Sequence, residues 1–543
     1  MKLKKIILYL IFFFFAFQIS YSQEEESFYY KVNKSFEIFG YIFREIANNY
    51  VVAIDPEELV RFGINGILSS LDPYTEYYNE QETEDIDIIT SGSYTGVGIT
   101  VSNRDSMLTI IDIQDEYSAK KNGLRIGDRI VKVDTAFLLY ERSDALRKYT
   151  RGKVGTPITF YILRDGLNDT LKFVLTRNDI MMKNVSFSDV ISDTIGYIKV
   201  ERFTRSLKDE VKQEYLELKN KHNITSLIID LRDNPGGMLE SAVNICELFI
   251  PKGNVIVTTK GRNKEDIKEY YSEEEPIDTN VRIAVLINNS SASASEIVAG
   301  AIQDLDRGII IGQRSYGKGL VQTIVDLPYN GNLKMTTSKY YTPSGRCIQK
   351  IDYYLKYSKL KTSADTIFYT KNKRIVFESK GILPDTIVEN EVYPDFVNSL
   401  INNGHIFKFA NRYTSKLNEL PQNFKADKKL LQQFKDYLNL QKFNYKTKLL
   451  EQFEELLTIA KNEKLSQSTL ESLETAKQQI ANEEKNLFDI NSELILNLIE
   501  KEIKLRFISN KEAIKLNLDS DKDITTAKEL LAPNKYSKIL AGK

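Results

Sequence analysis

A chain of 543 residues has the length of roughly three or four domains, and 42% hydrophobic with 27% charged residues is an ordinary globular composition. The net charge of −1 leaves no bulk attraction to nucleic acid, so no nucleic-acid partner is expected. Two cysteines (Cys246, Cys347) and two isolated histidines (His222, His405) lack metal-ligand spacing, so neither a metal nor a cofactor is called for, and no histidine sits in a motif that would make a Ser-His-Asp triad.

The chain opens with MKLKKIILYLIFFFFAFQISYSQ: lysines, an apolar run from Ile6, then Ser20 and Ser22 placed for a cut before Gln23. Residues 1–22 read as a secretory signal peptide, because the run is short of the ~20 residues a membrane span needs. The expected location is exported, in the periplasm of a Gram-negative bacterium, with an uncleaved inner-membrane anchor as the alternative. Residues 23–85 form an amino-terminal helical region, in which Asp55 caps a helix with Pro56 at its first position and Glu58 three residues on.

Between 86 and 177, GVGITVS, MLTIIDI, DRIVKVD, PITFYILRD and TLKFVLTR are short strands separated by Gly-containing turns, a small β-rich domain. From 178 to 390 strand and helix runs alternate, as in an α/β core whose ligands sit at the carboxyl ends of its strands. The remainder, 391–543, is rich in Lys, Glu, Leu, Asn and Gln with helical periods such as Ile495, Ile499, Ile503 and Phe507, and Ser468 with Glu471 suggests a capping box. It is expected to be an α-helical domain. The helical regions suit contact with a second copy in a homodimer, or with a scaffold or adaptor protein.

Three turns in the α/β region carry chemistry. VLINNSSASASEIVAGAIQD (285–304) is a buried strand, a tight turn and a helix whose first turn holds Ser293; the free N–H groups of a new helix point at negative charge developing there. A serine at this place also serves as an N-cap. SYGKGLVQ (315–322) sets Lys318 between two glycines ahead of an apolar strand, and a lysine can act as base once burial lowers its pKa from about 10.4. SLIIDLRDNPGGML (226–239) is a buried strand ending in Asn-Pro-Gly-Gly, which aims N–H groups into a cleft as an oxyanion hole does.

Together, DLRDNPGG, SSASASEIVAGAIQD, SYGKGLVQ, KYYTPSGRCIQ, LSSLDPYTEYY and YTGVGITV resemble the carboxyl-terminal processing peptidases (tail-specific proteases) of serine peptidase family S41, in the family's order from about Phe36 to Asp385. The resemblance implies a multidomain α/β protein: a Clp-protease/crotonase-like core with an inserted PDZ domain and helical regions at both ends. It implies Ser293 as nucleophile, Lys318 as general base, Gln322 as the residue orienting the lysine, and Ala294 with Gly237, rather than Gly236, as the oxyanion hole. Asp230, Arg232 and Glu296 fall at family positions read as an ion-pair network supporting the site, and Cys347 stands where a serine is expected. In the PDZ-like domain Gly96, Val97, Gly98 and Ile99 would receive a peptide's terminal carboxylate on an open strand edge, with Tyr117 in place of the usual proline of the helix cap. The expected function is that of an exported serine endopeptidase acting on polypeptides with free, accessible carboxyl termini. The competing reading, a catalytically silent PDZ-containing binding or scaffold protein, predicts a damaged dyad, whereas Ser, Lys and Gln are all present.

Overall fold

The computed structural model describes residues 28–542 apart from 81, 83–91, 144, 352, 354–365, 379, 390–391, 416, 418, 422 and 519; the signal segment 1–22 lies outside the described residues. Among the described residues no helix is long and apolar enough to cross a membrane. Contacts divide the chain into a smaller unit (1–83, 321–337 and 352–361) and a larger one (84–320, 338–351 and 362–543).

In the smaller unit the helix Pro56–Ser69 starts as its sequence dictates. Asp55 Oδ1 accepts the Glu57 N–H at 2.9 Å, satisfying a donor that the first turn leaves without an intrahelical partner. The strand Glu76–Tyr78 pairs antiparallel with residues 332–334. The region 23–85 is therefore not helical alone: it shares a unit with 321–337, which alternation in the sequence had grouped with the α/β core. A strand's own side chains carry no record of which partner it pairs with.

The larger unit begins with the PDZ-like sheet, ordered Ile99–Arg104, Met107–Ile113, Arg129–Val133, Pro157–Leu163 and Leu171–Thr176, all antiparallel. In Pro157–Leu163 every second side chain is buried (Ile158, Phe160, Ile162), the period of two expected of a half-buried strand. The strand Ser93–Gly96 pairs with Asn178–Met181, so this domain closes at 181 and not at 177.

The peptidase sheet is the architectural centre. Its six strands lie side by side in chain order: β1 (Val185–Ser192), β2 (Ile195–Val200), β3 (Ser226–Asp230), β4 (Arg282–Ile287), β5 (Gly308–Gly312) and β6 (Thr386–Ile387), antiparallel between β1 and β2 and parallel thereafter. Parallel neighbours need crossovers, supplied by helices α1 (Leu207–His222), α2 (Leu239–Glu247) and α3 (Ala294–Asp304). Every residue of β3 and β5 is buried, because both faces are covered. A Cβ at Gly196 or Gly308 would strike Leu218 of α1 or Ile302 of α3, so these helices lie on that face. The other face, formed by Tyr197, Ile228, Ala284, Leu286, Ile309 and Ile311, packs on Ile524 and Ala527 of α4 (Lys522–Leu530), its C-cap Leu531, and Tyr536 of α5 (Pro533–Leu540), the last two helices.

The expected helical domain has its own core of Phe396, Phe409, Phe434, Ile495, Ile499 and Ile503. The boundary drawn at 391 does not follow the packing at its far end, since α4 and α5 belong to the peptidase sheet. In the helix Gln467–Glu484 the cap is Ser466, which accepts the Thr469 N–H, and not Ser468.

Candidate active site

The Ser293 turn follows directly from β4, whose apolar residues stop at Asn288. Ser291 Oγ donates to Leu231 O at 2.7 Å and accepts the Asn288 N–H at 2.9 Å, fastening the turn to the end of β3. Ser293 adopts φ 54° and ψ −114°, a strained conformation for a residue with a side chain, and one that persists only where the surroundings enforce it. Of residues 291–304 it alone is not buried. Tyr340, itself buried, donates its hydroxyl to Ser293 O at 3.2 Å.

The Asn-Pro-Gly-Gly turn lies against it. Asn234 Nδ2 donates to Val200 O at 2.8 Å, and Asn234 O accepts both the Ala292 N–H at 3.1 Å and Ser295 Oγ at 2.9 Å. Gly236 sits at φ +99°, and a Cβ there would come within 2.9 Å of Ser293 Cβ and 2.8 Å of Ala294 N, so only glycine fits. The Gly236 N–H donates to Asn234 Oδ1 at 2.8 Å. The N–H groups of Gly237 and Ala294 have no acceptor among the described residues.

Glu296 joins this turn to the lysine turn. Its carboxylate is fully buried and accepts four donors: Ser293 N–H and Lys318 N–H, both at 2.9 Å on Oε2, with Ser315 Oγ at 2.5 Å and Gly317 N–H at 2.7 Å on Oε1. One oxygen thus binds the backbone of both Ser293 and Lys318. Burial pushes the Glu296 carboxyl up to about 7, while the Ser315 hydroxyl and the N–H groups of Lys318, Gly317 and Ser293 pull it down. Further bonds from Tyr316 N to Ser291 O (3.0 Å) and Gly319 N to Gln349 Oε1 (2.6 Å) hold the loop, and the Lys318 side chain is half-buried.

Comparison with known proteins identifies the family. Residues 194–354 match the model of peptidase family S41, residues 95–175 that of a PDZ domain, and residues 396–531 that described as "Probable PDZ-protease, C-terminal helical domain". The carboxy-terminal-processing protease of Bartonella bacilliformis is 37% identical over 316 residues, 58% of this chain and 72% of that protein. The chain belongs to peptidase family S41. It is a serine-type peptidase with a PDZ domain. Carboxy-terminal processing protease CtpB of Bacillus subtilis is 31% identical over 59% of this chain and 65% of its own length. The solved photosystem II D1 C-terminal processing protease is 23% identical, with a TM-score of 0.38 over 67% of this chain and 90% of that one.

The supporting residues of this S41 chain divide in two. Asp230 and Arg232 do form an ion pair, at 2.6 Å, with Tyr197 OH donating to Asp230 Oδ2 at 2.7 Å; burial raises the Asp230 carboxyl, but Arg232 more than offsets it and holds it below the usual range. Glu296 is not part of that network, a correction to the expectation: its partners are N–H groups and a hydroxyl, and residue type reveals a charge but not what neutralises it. Gln322 belongs to the smaller unit, where its Nε2 donates to Thr336 Oγ1 at 3.2 Å. Asn234 and Tyr340 were missed. The spacing Ser293 to Glu296 is that of a capping box and could have flagged the carboxylate's contact with the turn.

In the PDZ domain, Val97 O accepts the Ala119 N–H and Gly98 O the Gln114 N–H, each at 3.0 Å, while the N–H groups of Val97 and Gly98 have no acceptor among the described residues. Gly98, at φ +82°, would place a Cβ 2.6 Å from Tyr117 Cβ. Tyr117 closes this end, its hydroxyl accepting the Met181 N–H at 2.8 Å. The strand Ile99–Arg104 pairs on one edge only among the described residues, and Gly96 lies in the preceding strand.

Proposed function

We propose that the chain is an exported endopeptidase using a Ser293/Lys318 dyad on polypeptides whose free carboxyl termini are selected by the PDZ domain. The observation that carries this reading is the shared Glu296 oxygen, which ties the turn of the strained, half-buried Ser293 to the lysine turn. Neutral Lys318 Nζ takes the proton of Ser293 Oγ as the oxygen attacks the peptide carbonyl. The N–H groups of Ala294 and Gly237, which have no acceptor among the described residues, receive the oxyanion, whereas that of Gly236 is already bonded to Asn234. Lys318 then returns the proton to the leaving amine, and water hydrolyses the acyl-enzyme through the same base.

The open edge of Ile99–Arg104 supports strand addition by a peptide, with its carboxylate on the free N–H groups at Val97 and Gly98. Amidation removes the charge-assisted part of that contact, worth about 1.5–3 kcal/mol per hydrogen bond, so a protein with an amidated apolar tail is expected to be cleaved about tenfold or more slowly than the same protein with a free tail, and one ending in Asp-Asp also more slowly. Rates for the three substrates, with Ser293→Ala as the blank, check it; equal rates would mean that the PDZ domain does not select tails. Export rests on the lysine-led apolar segment before Ser20 and Ser22. Amino-terminal sequencing of the protein from its native cell envelope is expected to begin at Gln23; a chain still beginning at Met1 would indicate an anchor.

A further inference from the structure

The carboxyl-terminal helices do more than cover a sheet face. Arg232 sits between the last residue pair of β3 and the Asn-Pro-Gly-Gly turn, and its guanidinium is held from two sides. Nε and Nη2 reach Asp230, at 3.0 Å to Oδ1 and 2.6 Å to Oδ2, while Nη1 donates to Asp521 Oδ2 and Asp523 Oδ2, both at 2.8 Å, from a segment almost three hundred residues away in sequence. Asp521 has two jobs: its Oδ1 caps α4 by accepting the Asp523 and Ile524 N–H groups, at 2.9 and 3.1 Å, leaving Oδ2 for the arginine.

What lies on either side of Arg232 decides what this clamp holds. Leu231 O receives Ser291 Oγ and the Asn234 N–H, and Asp233, at φ +63°, exchanges two bonds with the Asn288 side chain (3.0 and 2.8 Å). Both residues flanking Arg232 are thereby bonded to the serine turn, and Asn234, next in line, carries Gly236, Ala292 and Ser295. A fork held by three carboxylates has a fixed direction, whereas one held by Asp230 alone, two residues away at the end of β3, has no anchor from a distant element.

We infer that Asp521 and Asp523 are positioning residues for peptide hydrolysis: through Arg232 the carboxyl-terminal helix α4 holds the oxyanion turn and the serine turn in register. This rests on the reading of Ser293 and Gly237 given above. It makes the activity of the peptidase sheet dependent on a segment at the far end of the chain.

The test uses the full-length enzyme and a short fluorogenic peptide too small to engage the PDZ domain. Asp521→Asn/Asp523→Asn keeps the shape and the Oδ1 cap of the helix, removes the charges facing Arg232 and turns an NH₂ group toward its guanidinium at Asp521. The expected result is a kcat lowered about tenfold to a hundredfold with KM within about twofold of wild type, since a small misplacement of catalytic groups costs turnover and not ground-state binding. Asp521→Glu is expected to recover part of the loss. Ile524→Ala empties a buried site on the same helix without touching a carboxylate, and is expected to lower Tm while leaving kcat per folded molecule unchanged. Wild-type kcat in the Asn double variant, or a loss matched by Ile524→Ala at equal folded fraction, would overturn the inference. Activity persisting in Ser293→Ala in the same assay would instead sink the dyad on which it rests.

Discussion

Lys318→Ala is expected to lower kcat/KM for peptide hydrolysis by roughly 10⁴-fold or more, Ser293→Ala to do the same, and the double variant to be no worse than either alone. The non-additivity is the informative part. A nucleophile and its base act as one unit, so once the base is gone the hydroxyl contributes almost nothing, and the residual rate comes from the oxyanion donors and from binding. Neither change should disturb the fold: Ser293 and Lys318 are half-buried, and what knits their turns together is backbone N–H on Glu296, which alanine retains. Steady-state kinetics on the three variants, with circular dichroism to verify folding, read the result. Additive losses would mean that the two residues serve different steps.

The second large effect belongs to Glu296→Gln. Glutamine has one acceptor oxygen where the carboxylate has two, so an NH₂ group would face two of the four donors now bound, either those of Ser293 and Lys318 or those of Ser315 and Gly317. Two backbone turns lose their common anchor, and kcat is expected to fall about 10²-fold. The carboxyl is raised to about 7 from its ordinary 4.5, chiefly by burial. Between those values the folded protein keeps a proton that the unfolded chain has released, so Glu296 stabilises the fold at low pH, and this contribution, roughly 3 kcal/mol, is lost as pH rises through 7. Catalytic geometry runs the other way, because only the ionised carboxylate accepts all four donors. Wild-type kcat/KM should therefore carry an inflection near 7 while Tm declines, and Glu296→Gln should lose that inflection and that share of the decline, keeping only the rise that loss of the Lys318 proton gives. A pH series of Tm and kcat/KM on the two proteins tests this, and an inflection surviving in Glu296→Gln would assign it to another group.

The strands and turns of the site were legible in the sequence because their causes are local. SLIID and RIAVLI are apolar runs that end abruptly, and Asn-Pro-Gly-Gly can hardly do other than turn. Asp55 followed by Pro56 announced a helix start for the same reason. What escaped reading depends on residues far apart: that Arg232 meets Asp521 and Asp523, that Tyr340 bonds Ser293 O, and that residues 321–337 leave the α/β core for the smaller unit. The helical period of α4 and α5 was visible, but a helix's apolar face does not say which surface it will cover, so their packing on the peptidase sheet was not legible. Glu296 shows the limit most clearly. From its family position it was read as part of an ion-pair network, and only its four donors reveal an anion held by hydrogen bonds.

The central claim is that Ser293 is a nucleophile activated by Lys318, and covalent labelling tests it most directly. Wild-type protein is incubated with a fluorophosphonate, which phosphonylates an activated serine far faster than an ordinary hydroxyl, and the modified residue and its rate are read by peptide mass spectrometry. The account predicts one adduct, on Ser293, forming about a hundredfold or more slowly in Lys318→Ala. An adduct on another residue with Ser293 untouched, or equal labelling of Ser293 with and without Lys318, would contradict it.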